Sequence, residues 1–175
     1  ANNSIPTAGV SVTDGNVMFY YNREFFKSLK PIERIGLLKH EAYHIIFEHC
    51  TERKRDPHLI WNYATDLAIN SIIPEHELPE GGLIPGMPIP ESISSLPDPN
   101  MQKASEKIYE LINSFPKEES SEWYFEKLMD LQEEFEDMQK GMEEMDGEFG
   151  SGSECGLPGP LDDHNGWGEG LSDEQ

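Results

Sequence analysis

Basic residues are scarce in this chain, and beyond Lys140 there are none. Thirteen Lys and Arg stand against 34 Asp and Glu, giving a formal charge of −21 and a pI near 4.4. Phosphate binding wants clustered cations, so neither nucleic acid nor an anionic membrane surface is expected as a partner. Cysteine is nearly absent as well. Cys50 and Cys155 are far apart, with no C-x-x-C knuckle and no short disulfide framework, which favours a reducing compartment. No apolar run approaches the roughly 20 residues that span a bilayer, and no signal peptide opens the sequence. The expectation is a cytoplasmic protein. With 175 residues and 36% hydrophobic content, the chain can bury one modest core.

What is present falls into readable segments. "AGVSV" and "NVMFYY", joined by "TDGN", have the β-formers and the Asp-Gly turn of a hairpin over residues 7–21. Asn22 can cap a short helix, "REFFKSL". Pro31 suits the first position of the next helix, expected to run to about Lys54 and, being apolar around most of its circumference, to lie centrally. After Asp56 and Pro57 a further helix, "PHLIWNYATDLAINSII", is closed by Pro74. Residues 74–103 are too rich in Pro and Gly for a regular element and read as a long surface loop. "ASEKIYELINSF" and "SEWYFEKLMDLQEEFEDMQKGM" read as two helices. The expected layout is an α+β domain over residues 1–140 and an acidic, Gly-rich, largely flexible tail over 141–175.

The chemistry concentrates in "LLKHEAYHIIFEHC", where His40, Glu41 and His44 form H-E-x-x-H on a helix. Side chains at i and i+4 share a face about 5 to 6 Å apart, so both imidazoles can ligate one zinc ion at about 2.0 to 2.1 Å. Glu41 sits about 100° around the helix from His40, beside the ligands and placed to serve as a general base.

A third ligand follows from helix rise. About nine residues separate His44 from the end of its helix near Arg53, roughly 13 Å, and ten separate Asp56 from Asp66, roughly 15 Å. If the two helices form an antiparallel hairpin, Asp66 returns level with His44. Asn62 and Asn70, one turn either side, complete a polar stripe and are candidates for hydrogen bonds that orient the ligands. His49 lies about 140° round from His44 and reads as a core or helix-end residue. His58 reads as a surface residue in the first turn of its helix, His76 lies in the loop, and Cys50 reads as a small buried hydrophobe.

"TAGVSVTDGNVMFYYNREFF", "LLKHEAYHIIFEHCTERKRDPHLIWNYATDLAIN", "LPEGGL" and "LDDHNGW" together resemble metallopeptidase domains often encoded beside von Willebrand A-like domains in bacteria and phages. The resemblance covers most of residues 7–90 and, more weakly, the tail. It implies a zincin-like architecture, His40 and His44 as ligands, Glu41 as catalytic base, Asp66 as third ligand, and a von Willebrand A-like neighbour as partner. Thermolysin-type enzymes are similar in spacing but place Glu, not Asp, at the third ligand. The expected activity is hydrolysis of peptide bonds in a peptide or protein substrate, with one zinc ion, Glu41 as base and the hairpin edge pairing with an extended chain. A zinc-dependent assembly protein and a hydrolase of a non-peptide amide are the alternatives. In the tail, Leu161 and Trp167 flank Asp162, Asp163 and His164, so residues 161–167 are expected to dock near the metal cleft. There His164 could stabilise an oxyanion, or Asp163 or His164 could occupy the open coordination position.

Overall fold

Strands β1 (Ala8–Thr13) and β2 (Asn16–Tyr21) pair antiparallel, with Ala8 opposite Tyr21 and Thr13 opposite Asn16. The computed structural model describes residues 5–13 and 15–149, and among these the two strands form the only sheet. Gly15 in the connection takes φ of 72°, left-handed backbone that costs glycine little. Asn22 ends the hairpin and starts helix α1 (Arg23–Ser28), its Oδ1 accepting from the backbone N–H of Glu24 at 2.9 Å and of Phe25 at 3.1 Å. Ala8, Leu29 and Leu37 are buried beneath Phe19, Tyr21, Phe25 and Phe26, which seats the hairpin on the helix that follows.

That helix, α2 (Pro31–Ile46), carries the H-E-x-x-H motif, and α3 (His58–Ile72) carries Asp66. The fold is α+β and zincin-like, as the resemblance implies. Yet α2 does not lie centrally. Ile32, Ile35, Leu38 and Ile46 are 37%, 49%, 47% and 66% exposed, while Glu33, Gly36, Leu37, His40, Glu41 and His44 form its buried arc. At about 100° per residue the two sets fall on opposite sides of the helix. The polar motif has taken the inner face and turned an aliphatic face outward, the reverse of the ordinary amphipathic arrangement. The central element is α3, buried without interruption from Ile60 to Leu67.

The main core lies between α3, α4 (Pro99–Asn113), α5 (Ser121–Leu128) and α6 (Gln132–Phe149), and includes Trp61, Leu67, Ile108, Tyr109, Tyr124 and Phe135. Each fully buried large apolar side chain contributes roughly 1.5 to 3 kcal/mol, so this cluster fixes α3, and with it Asp66. Helix α4 starts at Pro99, inside the expected loop, because Asp98 caps it through the N–H groups of Asn100 (3.0 Å) and Met101 (3.1 Å). The remaining loop is pinned: it contains 3-10 turns at Glu75–Glu77 and Glu91–Ser95, and Leu83 and Ile93 are 0% and 1% exposed.

The expected single helix over residues 121–142 is two helices, α5 and α6, joined by a 3-10 turn at Met129–Leu131. Helix α6 continues to Phe149, beyond the expected boundary at residue 140. Gly141 lies within it: a Cβ there would stand 2.8 Å from Met101 Cβ and Sδ, so this glycine permits α4 and α6 to pack closely. Gly36 is similarly required, since a Cβ would meet the Glu77 carbonyl oxygen at 1.9 Å where the loop crosses α2. Among the described residues no helix is long and apolar enough to cross a membrane. The segment 161–167, with Asp163 and His164, lies outside the described residues.

Candidate metal centre

Three contacts run between α2, the turn after it and α3, and their order shows the hairpin: His40 meets Asn70, His44 meets Asp66, and His49 meets Trp61. As the residue number rises on one side it falls on the other, so the segments are antiparallel and Asp66 is level with His44. His44 Nε2 stands 3.0 Å from His40 Nε2, and Asp66 Oδ1 stands 3.3 Å from the first and 3.5 Å from the second. All three side chains are 0% exposed. Donors sharing a tetrahedral zinc at about 2.0 to 2.2 Å stand about 3.3 to 3.6 Å apart; the two edges to Asp66, 3.3 and 3.5 Å, have that length, and the 3.0 Å edge between the imidazoles would open by a few tenths of an ångström around such an ion. Among the described residues, this is the group of His, Cys, Asp and Glu that could hold a metal ion.

The hydrogen bonds around the triangle make His40 a competent donor. Asn70 Nδ2 donates to the Leu83 carbonyl at 2.9 Å, which turns Asn70 Oδ1 toward His40 Nδ1 at 2.8 Å. An amide oxygen only accepts, so His40 carries its proton on Nδ1 and presents a bare lone pair on Nε2. Nε2 of His40 and Oδ1 of Asp66 are then two acceptors facing each other across 3.5 Å. A cation between them relieves their repulsion, and in a fully buried site that relief is large.

Glu41 is 2% exposed and lies on α2 beside the two histidines. Asn62 is buried one turn before Asp66, but its Oδ1 has no hydrogen-bond partner among the described residues. The ligand-orienting bond expected of it is absent there; Asn70 makes the one to His40. His58 is half-buried in the first turn of α3 and His76 is exposed in the turn at Glu75–Glu77, neither in the cluster. Cys50 is buried in the main core.

His49 is a buried helix-end residue, as its spacing suggests, but its ring also reaches His44. Helix α2 ends at Ile46, not near Lys54, in a Schellman closure: Glu48 takes φ of 58°, its N–H donates to Ile45 O at 3.1 Å, and the His49 N–H donates to His44 O at 3.0 Å. Left-handed backbone at a residue with a Cβ costs roughly 1 to 2 kcal/mol, so tertiary contacts must hold it. They are present. Arg53 donates to the Phe47 carbonyl at 3.1 Å and grips Glu122 on α5 with Nε to Oε1 at 3.1 Å and Nη2 to Oε2 at 2.7 Å. The closure swings the His49 ring back so that its Nδ1 is 3.3 Å from His44 Nδ1 and its Nε2 is 2.9 Å from Ser121 Oγ. His49 and Ser121 are the site residues that spacing alone misses.

The grip of Arg53 has a pH signature. Burial pushes the Glu122 carboxyl up, but the hydrogen bond and charge of Arg53 outweigh it and hold the group below the usual carboxylate range. A carboxylate whose folded pKa is lowered stabilises the fold above its unfolded pKa, and the contribution is lost as pH falls through the folded value. In chelator-treated protein, Glu122→Gln should therefore lower the Tm at pH 7, and the gap from the unaltered chain should close below about pH 4. A thermal melt series over pH checks this.

A two-stranded hairpin, a helix presenting two histidines four residues apart and an antiparallel partner returning an aspartate define a zincin-like domain with a buried cluster able to hold a metal ion. The chain belongs to the family described as "Putative metallopeptidase domain", whose model matches residues 4–156. Family and cluster together support a metal-dependent hydrolase at the level of the family. A relative in Thermotoga maritima, named only "Uncharacterized protein", is 41% identical over 66 residues, covering 36% of this chain. The chain spans 16% of that relative's length. No solved structure matches.

Proposed function

We propose that the chain is a zinc-dependent peptidase in which His40, His44 and Asp66 hold the metal and Glu41 is the general base. The observation that carries this reading is the convergence of two imidazole Nε2 atoms and one carboxylate oxygen at 3.0 to 3.5 Å in a buried site beside a further carboxylate. Two imidazoles and a carboxylate with Glu41 adjacent match the donor set of hydrolytic zinc sites. When bound, zinc supplies Lewis acidity that polarises a carbonyl and brings the pKa of a coordinated water to near 7.

The rest is the work of the chain. Glu41 takes a proton from the attacking water as the new C–O bond forms, then gives it to the amide nitrogen as the C–N bond breaks. Asn70 fixes the His40 ring through Nδ1, so that Nε2 keeps its aim. The hairpin is the candidate docking edge for an extended peptide, because main-chain pairing recognises peptide with little demand on sequence. Val17, Met18 and Tyr20 on β2 are 56%, 44% and 37% exposed, which gives such a strand apolar surface to lie against.

Complete burial of the three donors favours a second reading, a metal that holds the domain together without turnover, since catalytic sites keep an open position. Proteolysis separates the two. Zinc-loaded protein should cleave an unfolded protein substrate, lose that activity to a chelator and recover it on addition of zinc. Full zinc occupancy with no cleavage of any of a broad set of peptides would favour the structural reading.

A further inference from the structure

The sequence motif explains two imidazoles in the interior, yet the structure buries a third: His49 is 1% exposed, and nothing in H-E-x-x-H requires it. We infer that His49 is a positioning residue for His44, and that Ser121 completes the device from α5. The inference rests on the metal reading above and concerns how one of its ligands is aimed.

The argument is one of proton places. For His44 Nε2 to face a cation as a bare lone pair, the His44 proton must reside on Nδ1. Nδ1 points at His49 Nδ1, 3.3 Å away, so that atom must accept, which places the His49 proton on Nε2. Nε2 then donates to Ser121 Oγ at 2.9 Å. Each group has one role, and the chain ends on a hydroxyl, which can accept here and still donate elsewhere. The His49 carbonyl accepts from Trp61 Nε1 at 3.2 Å, so the backbone of the residue is held as well as its ring. His40 has an amide for its outer partner and His44 an imidazole; neither partner brings a negative charge, which leaves Asp66 as the anion of the triangle.

The competing explanation is packing. The His49 ring lies 5.7 Å from that of Trp61 and 5.6 Å from that of Phe47, and an aromatic of the right size could serve there with no polar role. Three substitutions separate the cases. Asn places its Oδ1 where imidazole Nδ1 stands and can accept from His44. Gln places its polar end nearer Nε2, keeping reach to Ser121 but not to His44. Phe fills the volume and accepts from neither.

The measurement is the zinc dissociation constant by competition with a chromogenic chelator, read beside the Tm of the metal-free form. Loss of a bond that orients a metal ligand typically costs about 10 to 100-fold in affinity, so His49→Phe and His49→Gln should weaken zinc by that factor. His49→Asn should stay close to the unaltered protein although it packs worst. Zinc held as tightly by His49→Phe as by the unaltered chain, or by His49→Gln better than by His49→Asn, overturns the inference. Should His49→Phe fail to fold, Ser121→Ala decides: weaker zinc with the metal-free Tm maintained supports the device, and unchanged zinc refutes it. An unaltered protein that binds no metal would sink the metal reading itself, an outcome distinct from any of these.

Discussion

Replacing Glu41 by Gln is expected to lower the rate of peptide hydrolysis by about 10² to 10⁴-fold, the range for loss of a positioned acid–base group, with zinc still bound one per chain. Gln keeps the shape of Glu and removes the basic oxygen, so binding and catalysis part company. A stable variant that holds zinc and has lost turnover identifies the base. Full turnover in Glu41→Gln would remove Glu41 from the mechanism.

Asp66→Ala should produce a large change in metal-linked stability. A ligand that binds only the folded state stabilises it by RT ln(1 + [L]/Kd), so with zinc in excess a thousandfold loss of affinity removes about 4 kcal/mol. For a domain of this size that is roughly 8 to 16 °C in Tm. The same drop is expected of His40→Ala and His44→Ala. In chelator the difference attributable to zinc should vanish, which separates a lost ligand from a damaged core. His58→Ala and His76→Ala should retain zinc, because neither belongs to the triangle. An Asp66→Ala protein that melts with zinc as high as the unaltered one would move the third donor elsewhere.

The triangle was legible in the sequence because it depends on quantities that hardly vary between helices. The spacing of His40 and His44 places them on one face, and the rise per residue returns Asp66 to their level. The hairpin was legible from its Asp-Gly turn, and the start of α1 from Asn22. The start of α4 was written in Asp98 and Pro99, a cap followed by a first-turn proline, but lay hidden in a run rich in prolines that read as loop.

Other features could not be read. Nothing local stops α2 at Ile46: the closure uses Glu48 where glycine is usual, and the residue that secures it, Arg53, does so through Glu122, 69 positions away. His49 is thereby aimed by contacts between distant segments, so helical spacing gave its place in the core at the helix end but not its contact with His44. The outward aliphatic face of α2 was misread for a related reason. Apolar residues around a helix suggest a central position, but here the inner arc is reserved for the polar motif. The tail boundary was drawn at Lys140, where basic residues end, and composition could not show that Gly141 beyond it packs against Met101.

The central claim is that the buried His40, His44 and Asp66 hold a metal ion. Elemental analysis of protein purified without added metal tests it most directly, with Asp66→Ala prepared in parallel. The account predicts close to one zinc per unaltered chain and a small fraction of that in the variant. An unaltered protein that carries no transition metal, and takes up none when zinc is supplied, would contradict it.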